Sequence, residues 1–407
     1  MTAFTNGSPS HRDSVTGSNG SSVDVVLRAP QCSSEWTAYE TLARSGFQEP
    51  DLSILPLRDH AITRLAIDRT GVVAGMMALR CEVFMGGLPV RAGALACLVV
   101  APNRRGRGLA GRLMEEIVRA LRGEGRVLSV LWTPAVGLYR RWGWEVGGTG
   151  RGWAILASEL AGSPRPEAIE NGLGPGGAAL HDRLASRWNG ALRRPSWWWD
   201  WKYPAGDPEK FLYRSYASNG RTTGIVGYHH RRRDPWGYDI IVTDLWAENH
   251  PHSRQLFGFL GDHSSQAHRI VFEHASMPSP PPFLWELSQH RAVEQPWYPW
   301  MINLIDVRGA LLSRGWPREV RGSVDFEIEN LDGTCDRLVL TVVEGTAQVE
   351  PGGRGEVRIS RNILASWYCG ALSSGHLAAL LPDLSEDTIH FLCALSSGPA
   401  PWLPDVF

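Results

Sequence analysis

Short apolar runs alternate with amphipathic stretches along the chain, and the clearest alternation lies at residues 98–121. There an apolar run ends in a basic, glycine-rich turn, after which Ala110, Leu113, Met114, Ile117, Val118 and Leu121 recur every three or four residues. Arg112, Glu115, Glu116, Arg119 and Arg122 fall on the opposite face, so the pattern predicts a strand, a turn and an amphipathic helix. Before it, residues 23–29 (VDVVLRA) read as a strand, 33–47 as a helix capped near Ser33 or Ser34, and 64–84 as strands turning at 69–71. Residues 93–102 read as the strand that enters the turn, 127–133 (VLSVLWT) as a buried strand, and 137–147 as a short helix running into a last strand. Strands alternating with helices in this order predict a mostly parallel α/β or α+β sheet.

The stretch SPRPEAIENGLGPGG, residues 163–177, is rich in Pro and Gly and marks a boundary. Beyond it, 211–215, 221–232 and 238–248 are strand-like and 252–265 helix-like, which implies a second unit of similar order that lacks any comparable glycine-rich basic turn. From about 300 the pattern changes again: strands at 325–330, 337–345 and 347–351 are joined by the turns NLDG and EPGG, as in a hairpin-rich sheet. Helical patterns follow at 363–374 and 376–383, and the chain ends PWLPDVF, on an apolar residue where a polar tail is usual. The expected organisation is a polar Gly/Ser-rich leader at 1–22, then units at 23–162, 163–299 and 300–407.

Composition narrows the function classes. The 407 residues are 43% hydrophobic and 20% charged, with a formal net charge of -1, which fits ordinary folded cores and gives no support to binding nucleic acid or an anionic membrane. No stretch approaches the length of apolar residues that a membrane span needs, and the leader has no apolar core segment, so a cytoplasmic protein is expected. Six cysteines, at 32, 81, 97, 335, 369 and 393, form no C-x-x-C pair and read as reduced core residues. His229 and His230 are adjacent, and neighbouring strand residues point to opposite faces, so no metal is expected there or elsewhere. Neither H-E-x-x-H nor G-x-S-x-G occurs.

The turn carries the chemistry. A helix N-terminus presents unpaired N–H groups and the positive end of its dipole, which suits a phosphate. Gly106 and Gly108 remove side chains that would hold a pyrophosphate away, and Arg104, Arg105 and Arg107 add charge. No Gly-Lys-Ser/Thr follows, since the lysines are Lys202 and Lys210, and the G-x-G-x-x-G spacing is missing.

Arg105-Gly106-Arg107-Gly108-Leu109-Ala110 resembles the Arg/Gln-x-x-Gly-x-Gly/Ala signature of the GCN5-related N-acetyltransferases (GNAT). With GLYRRWGW, LRRPSWWWDWKY, IIVTDLWAENHPHSRQLFGFL, MINLIDVRGALLSR and the PW-x(4)-F ending, residues 23–407 resemble the enhanced intracellular survival (Eis) family. The resemblance implies tandem GNAT-like domains followed by a sterol-carrier-protein-like α+β domain. It also implies acetyl-CoA as acyl donor and a small-molecule amine, such as a polyamine or aminoglycoside, as acceptor, in a homo-oligomer whose family state is a homohexamer. Backbone N–H groups at Leu98, Val99 and Val100 would meet the thioester carbonyl and pantetheine, and residues 105–110 the pyrophosphate. Tyr139 stands where the family places its general acid, and an ordinary tyrosine pKa near ~10 suits a proton donor to a thiolate. The Phe407 carboxylate stands where the family places a base; an α-carboxyl pKa of ~3.3–3.7 leaves the role of amine orienter equally open. Trp132, Trp142 and Trp144 lie near Tyr139 in sequence and suit a cationic amine by cation-π contact. Glu49, Asp51 and Asp405 offer negative charge, surface carboxylates being the plainer reading of each.

The segment TPAVGLY, 133–139, departs from the Ser-Glu and paired glycines common in the family, which points to a reshaped acceptor pocket. A dedicated tailoring enzyme with a different acyl donor, a protein lysine acetyltransferase, and a ligand-binding protein with a vestigial site remain as alternatives.

Overall fold

The computed structural model describes residues 25–278, 281 and 292–407, so the leader expected at 1–22 lies outside the described residues. The first unit runs β1 (Val26–Arg28), α1 (Ser33–Phe47), β2 (Ala61–Asp68), β3 (Gly71–Met85), β4 (Leu88–Val100), α2 (Leu109–Gly123), β5 (Leu128–Trp132), α3 (Val136–Arg140) and β6 (Glu145–Leu156). Helix α1 starts where expected but not through a serine cap. Cys32 is the N-cap and its side chain caps no backbone amide, while Glu35 accepts the Gln31 amide at 2.7 Å, supplying the first turn with the negative charge its dipole favours. Helix α2 buries Leu109, Leu113, Met114, Ile117 and Leu121 against β2, β3 and β4, each worth roughly 1.5–3 kcal/mol relative to exposure.

The second unit begins with the turn of helix α4 (Ala157–Leu160) and runs β7 (Ala168–Asn171), α5 (Gly177–Ala185), β8 (Leu192–Arg193), α6 (Ser196–Lys202), β9 (Lys210–Tyr216), β10 (Thr222–Arg232), β11 (Tyr238–Ala247), α7 (His250–Gly261) and β12 (Ala267–Phe272). The Pro/Gly-rich stretch is therefore not a bare linker, because β7 pairs with β9 at the edge of the sheet. Strand β13 (Val293–Leu304) then inserts between β5 and β6 of the first unit, and the boundary expected at 299/300 falls inside this strand.

Insertion of β13 fuses both units into one sheet with the order β1-β2-β3-β4-β5-β13-β6-β12-β11-β10-β9-β7, and β8 pairs with β3. The expectation of a mostly parallel sheet is overturned. Among the described strands only β4 with β5 and β11 with β12 run parallel in it; β2–β3, β3–β4, β9–β10 and β10–β11 are hairpins, whose partners are antiparallel, and β13 lies antiparallel to both β5 and β6.

The remainder is helix α8 (Val307–Ser313), strands β14 (Gly322–Glu329), β15 (Cys335–Val343), β16 (Thr346–Pro351) and β17 (Val357–Ser360), and helices α9 (Arg361–Tyr368), α10 (Ser374–Leu380) and α11 (Glu386–Ser396). Its sheet has the order β16-β15-β14-β17 and packs Phe326 against Trp367 with ring centroids 5.5 Å apart, in a buried cluster that also holds Leu340 and Leu392. The cysteines are free, and two depart from the core reading: Cys32 and Cys335 are exposed. Among the described residues no helix is long and apolar enough to cross a membrane.

Candidate active site

Strands β4 and β5 pair only where Ala92, Gly93 and Ala94 meet Leu128, Ser129 and Val130. Beyond that point they diverge, and β13 occupies the far side of β5 with Trp300 opposite Trp132. The divergence coincides with a bulge: Cys97 has φ 54 and the β3–β4 register shifts across Gly75 and Met77. A bulge re-aims the residues that follow it. The buried Tyr39 pins this one by donating its hydroxyl to the Cys97 carbonyl at 2.7 Å.

Past the bulge, Leu98, Val99 and Val100 line a cleft of ≈ 410 Å³. Arg105, Gly106, Gly108, Leu109, Ala110 and Tyr139 line the same cleft, so residues far apart in sequence are brought together. Arg107 and Phe407 are outside its lining. Arg104, one of the arginines expected to add charge, is inside it, and so are Thr133, Pro134, Ala135 and Leu138 of the unusual TPAVGLY segment, to which the sequence assigns no binding role.

The turn owes its shape to two glycines, Gly106 at φ 76 and Gly108 at φ 72, where other residues are strained. A Cβ on either would meet nothing within 4 Å, so the constraint is conformational and the space before the helix is open. Gly108 is the N-cap of α2 and brings no side chain to its amides. The first amides of the helix are thus left without a side-chain cap where Gly108, Leu109 and Ala110 line the cleft, an arrangement suited to an anion. The arginines divide their work. Arg104 is tied to Asp68 at 2.8 Å and is a strut of the turn, whereas the sequence counted it as free charge. The Asp68 carboxyl is held down to about 2 by the Thr70 hydroxyl and amide and by Arg104. Arg105 bonds the Val100 carbonyl through Nε at 3.3 Å, which leaves the rest of its guanidinium for a ligand.

Tyr139 sits in the short helix α3, held by the bonds its carbonyl accepts from the Trp142 and Trp144 amides and by an edge contact with the buried Trp144 ring. Burial, with a smaller contribution from the Cys97 thiol, pushes its hydroxyl up to about 12. It therefore keeps its proton at neutral pH and is a poor base.

Other candidates separate clearly. Glu49 and Asp51 are exposed, as surface carboxylates should be. Asp405 contradicts that reading: it is fully buried and paired with Arg194 at 2.8 Å. The half-buried Trp132 donates Nε1–H to the Asp405 carbonyl at 2.8 Å. Phe407 packs its ring edge-on to Trp198 with centroids 6.2 Å apart. His230 stacks on Tyr238 at 4.1 Å, and among the described residues no three His, Cys, Asp or Glu side chains gather as metal ligands.

Comparison with known proteins agrees with this geometry. Acetyltransferase (GNAT) domain models match residues 29–147 and 190–308. The chain is 26% identical to an uncharacterized N-acetyltransferase of Streptomyces avermitilis over 94% of its own length and 99% of the relative's. It is likewise 26% identical to the N-acetyltransferase Eis of Mycobacterium tuberculosis, covering 87% of this chain and 92% of that one. Among solved structures, a GCN5-related N-acetyltransferase from Anabaena variabilis superposes with a TM-score of 0.84 at 20% identity, covering 94% of this chain and all of the other. Eis1 from Mycobacterium abscessus gives 0.73 at 22% identity with the same coverage.

Proposed function

Because this chain belongs to the Eis family of GNAT N-acetyltransferases, we propose that it transfers an acetyl group from acetyl-CoA to a primary amine of a small polyamine or aminoglycoside-like molecule. The observation that carries the reading is the single cleft that gathers Leu98, Val99, Val100, Arg105, Gly106, Gly108, Leu109, Ala110 and Tyr139. GNAT acetyltransferases use acetyl-CoA as donor, and the open space before Gly106 and Gly108, at an uncapped helix end, fits its pyrophosphate.

In this proposal the amine nitrogen attacks the thioester carbon, the C–S bond breaks, and Tyr139 gives its proton to the departing thiolate. Its raised pKa keeps that proton in place until it is needed. The proton on the attacking nitrogen passes to the Phe407 carboxylate, directly or by way of a water, or, where that carboxylate only orients the amine, to solvent; Tyr139 regains its own proton from solvent once the thiol has left. The small four-stranded sheet with its helices is the sterol-carrier-like unit of this scheme, and the protein works in the cytoplasm as a homo-oligomer, with a homohexamer as the proposed state. Thiol release from acetyl-CoA is the test, with spermidine and kanamycin as acceptors, for the intact chain, for Tyr139→Phe and for a chain lacking Phe407. Amine-dependent release that both changes reduce supports the two roles; an intact protein that neither binds acetyl-CoA nor releases thiol overturns the proposal.

A further inference from the structure

A costly arrangement of buried charge lies outside the cleft. The Arg194 side chain is wholly excluded from solvent, between two carboxylates that are also buried, Asp244 and Asp405. Nη2 reaches Asp244 at 2.7 Å and Asp405 at 2.8 Å, Nε donates to Asp405 at 2.8 Å, and the guanidinium lies 4.5 Å from the Trp199 ring centre. Asp244 is further held by Lys202 at 2.8 Å, by the Tyr203 hydroxyl at 2.6 Å and by Trp246 Nε1–H at 3.0 Å. Burial works against its charge, yet Arg194 and Lys202 hold its carboxyl well below the usual carboxylate range.

Burying three charges, with the half-buried Lys202 beside them, is a poor way to gain stability, because desolvation offsets the attraction and an apolar replacement often does as well. The cluster is not even complete: Arg194 Nη1 and Asp405 Oδ2 are buried without a partner. What such a network does supply is one fixed geometry, and its connections show what it fixes. Arg194, Lys202 and Asp244 belong to the second unit, which has no cofactor turn. Asp405 belongs to the last segment, which is also fastened where the Trp402 amide donates to Asn189 at 2.8 Å and Trp402 Nε1–H to Ala275 at 2.7 Å. The Asp405 carbonyl takes the indole N–H of Trp132, the last residue of β5. Immediately after it the Thr133 amide donates to Pro299, the Thr133 hydroxyl accepts the Ala135 amide at 2.9 Å, and the loop continues to Tyr139.

We propose that Arg194, Asp405 and Trp132 are positioning residues, a clamp through which the second unit sets the loop 133–139 and with it the Tyr139 hydroxyl over the acetyl-CoA cleft. The proposal rests on the acetyltransferase reading above for its catalytic meaning. Mechanically it stands on the clamp alone.

Amide hydrogen exchange of the full chain tests it without any acceptor. In Asp405→Asn the charge is lost while the backbone carbonyl stays, and exchange across 133–139 is expected to rise roughly tenfold or more. Leu340→Ala, a core truncation in the separate small sheet, serves as a control of comparable global destabilisation and is expected to leave 133–139 protected. Unchanged exchange in Asp405→Asn, or an equal rise in both variants, overturns the clamp. A kinetic arm with acetyl-CoA and spermidine or kanamycin should show kcat falling in Asp405→Asn while the KM for acetyl-CoA stays within about twofold. Increased exchange with an unaltered kcat would remove the catalytic meaning of the clamp. Tyr139→Phe with full turnover would remove the acid role and leave the exchange result to decide the clamp by itself.

Discussion

Two strand-to-helix junctions in this molecule share a frame and differ in their ends. In the first unit β4 leads into α2 with β5 parallel beside it; in the second β11 leads into α7 with β12 parallel beside it. The first helix starts at a left-handed glycine with no side-chain cap. The second starts at Asn249, whose side chain accepts the His252 amide at 3.1 Å, and Pro251 in the first turn has no N–H to offer. Around the first is a cleft with arginines at its turn, and around the second a smaller one of ≈ 260 Å³ walled by Trp188, Trp246 and Trp402. Glu248, in its wall, is committed to Arg183 and Arg221. The lesson is that the β–α frame alone makes no anion site. The helix end must be left unsatisfied by the protein itself.

The sharpest way to break this contrast is to alter one residue at each junction. Tyr139→Phe should lower amine-dependent thiol release by roughly 10²–10⁴-fold, whereas Trp188→Phe at the second junction should leave it within about twofold. Comparable losses in both would mean that the second cleft takes part in the reaction. Next in size, Gly108→Val forces a side chain into a left-handed conformation at a cost of about 1–3 kcal/mol, and acetyl-CoA affinity measured by calorimetry should fall roughly tenfold or more. The same titration of the intact protein should find one acetyl-CoA per chain, and two would erase the distinction. Asn249→Ala removes a cap and should cost about 1 kcal/mol in chemical denaturation with acetyl-CoA affinity unchanged. The smallest expected effect concerns pH. Because Tyr139 is raised to about 12, it stays protonated as pH climbs, so no loss of turnover from its ionisation is expected below about pH 11. A decline centred near the ordinary tyrosine value, or one that persists in Tyr139→Phe, would point to another group.

Much of the site was readable because local chemistry leaves local marks. A glycine needed for a left-handed turn, an apolar strand before it and a helical stripe after it are all written in consecutive residues, and Leu98, Val99, Val100, Arg105, Gly106, Gly108, Leu109 and Ala110 meet in one cleft, with Arg107 outside its lining. Partnerships across long separations leave no such mark. Arg104 looked like free charge beside the glycines, but its partner Asp68 lies on a different strand. Asp405 looked like a surface acid near a terminus, yet Arg194, 211 residues away in sequence, draws it fully inside. The insertion of β13 was hidden for the same reason, since a strand's pattern says that it is half-buried and not between which neighbours it lies.

The sequence by itself determined the tandem order of elements, the phosphate-suited turn and the tyrosine that follows β5, because hydrophobic period and turn residues act over a few positions. Only the tertiary structure decided that β4 splays from β5 at a bulge pinned by Tyr39, that β13 welds both units into one sheet, and that Tyr139 is buried enough to hold its proton. Those outcomes depend on which distant groups exclude water from one another, and burial is a property of the packed whole.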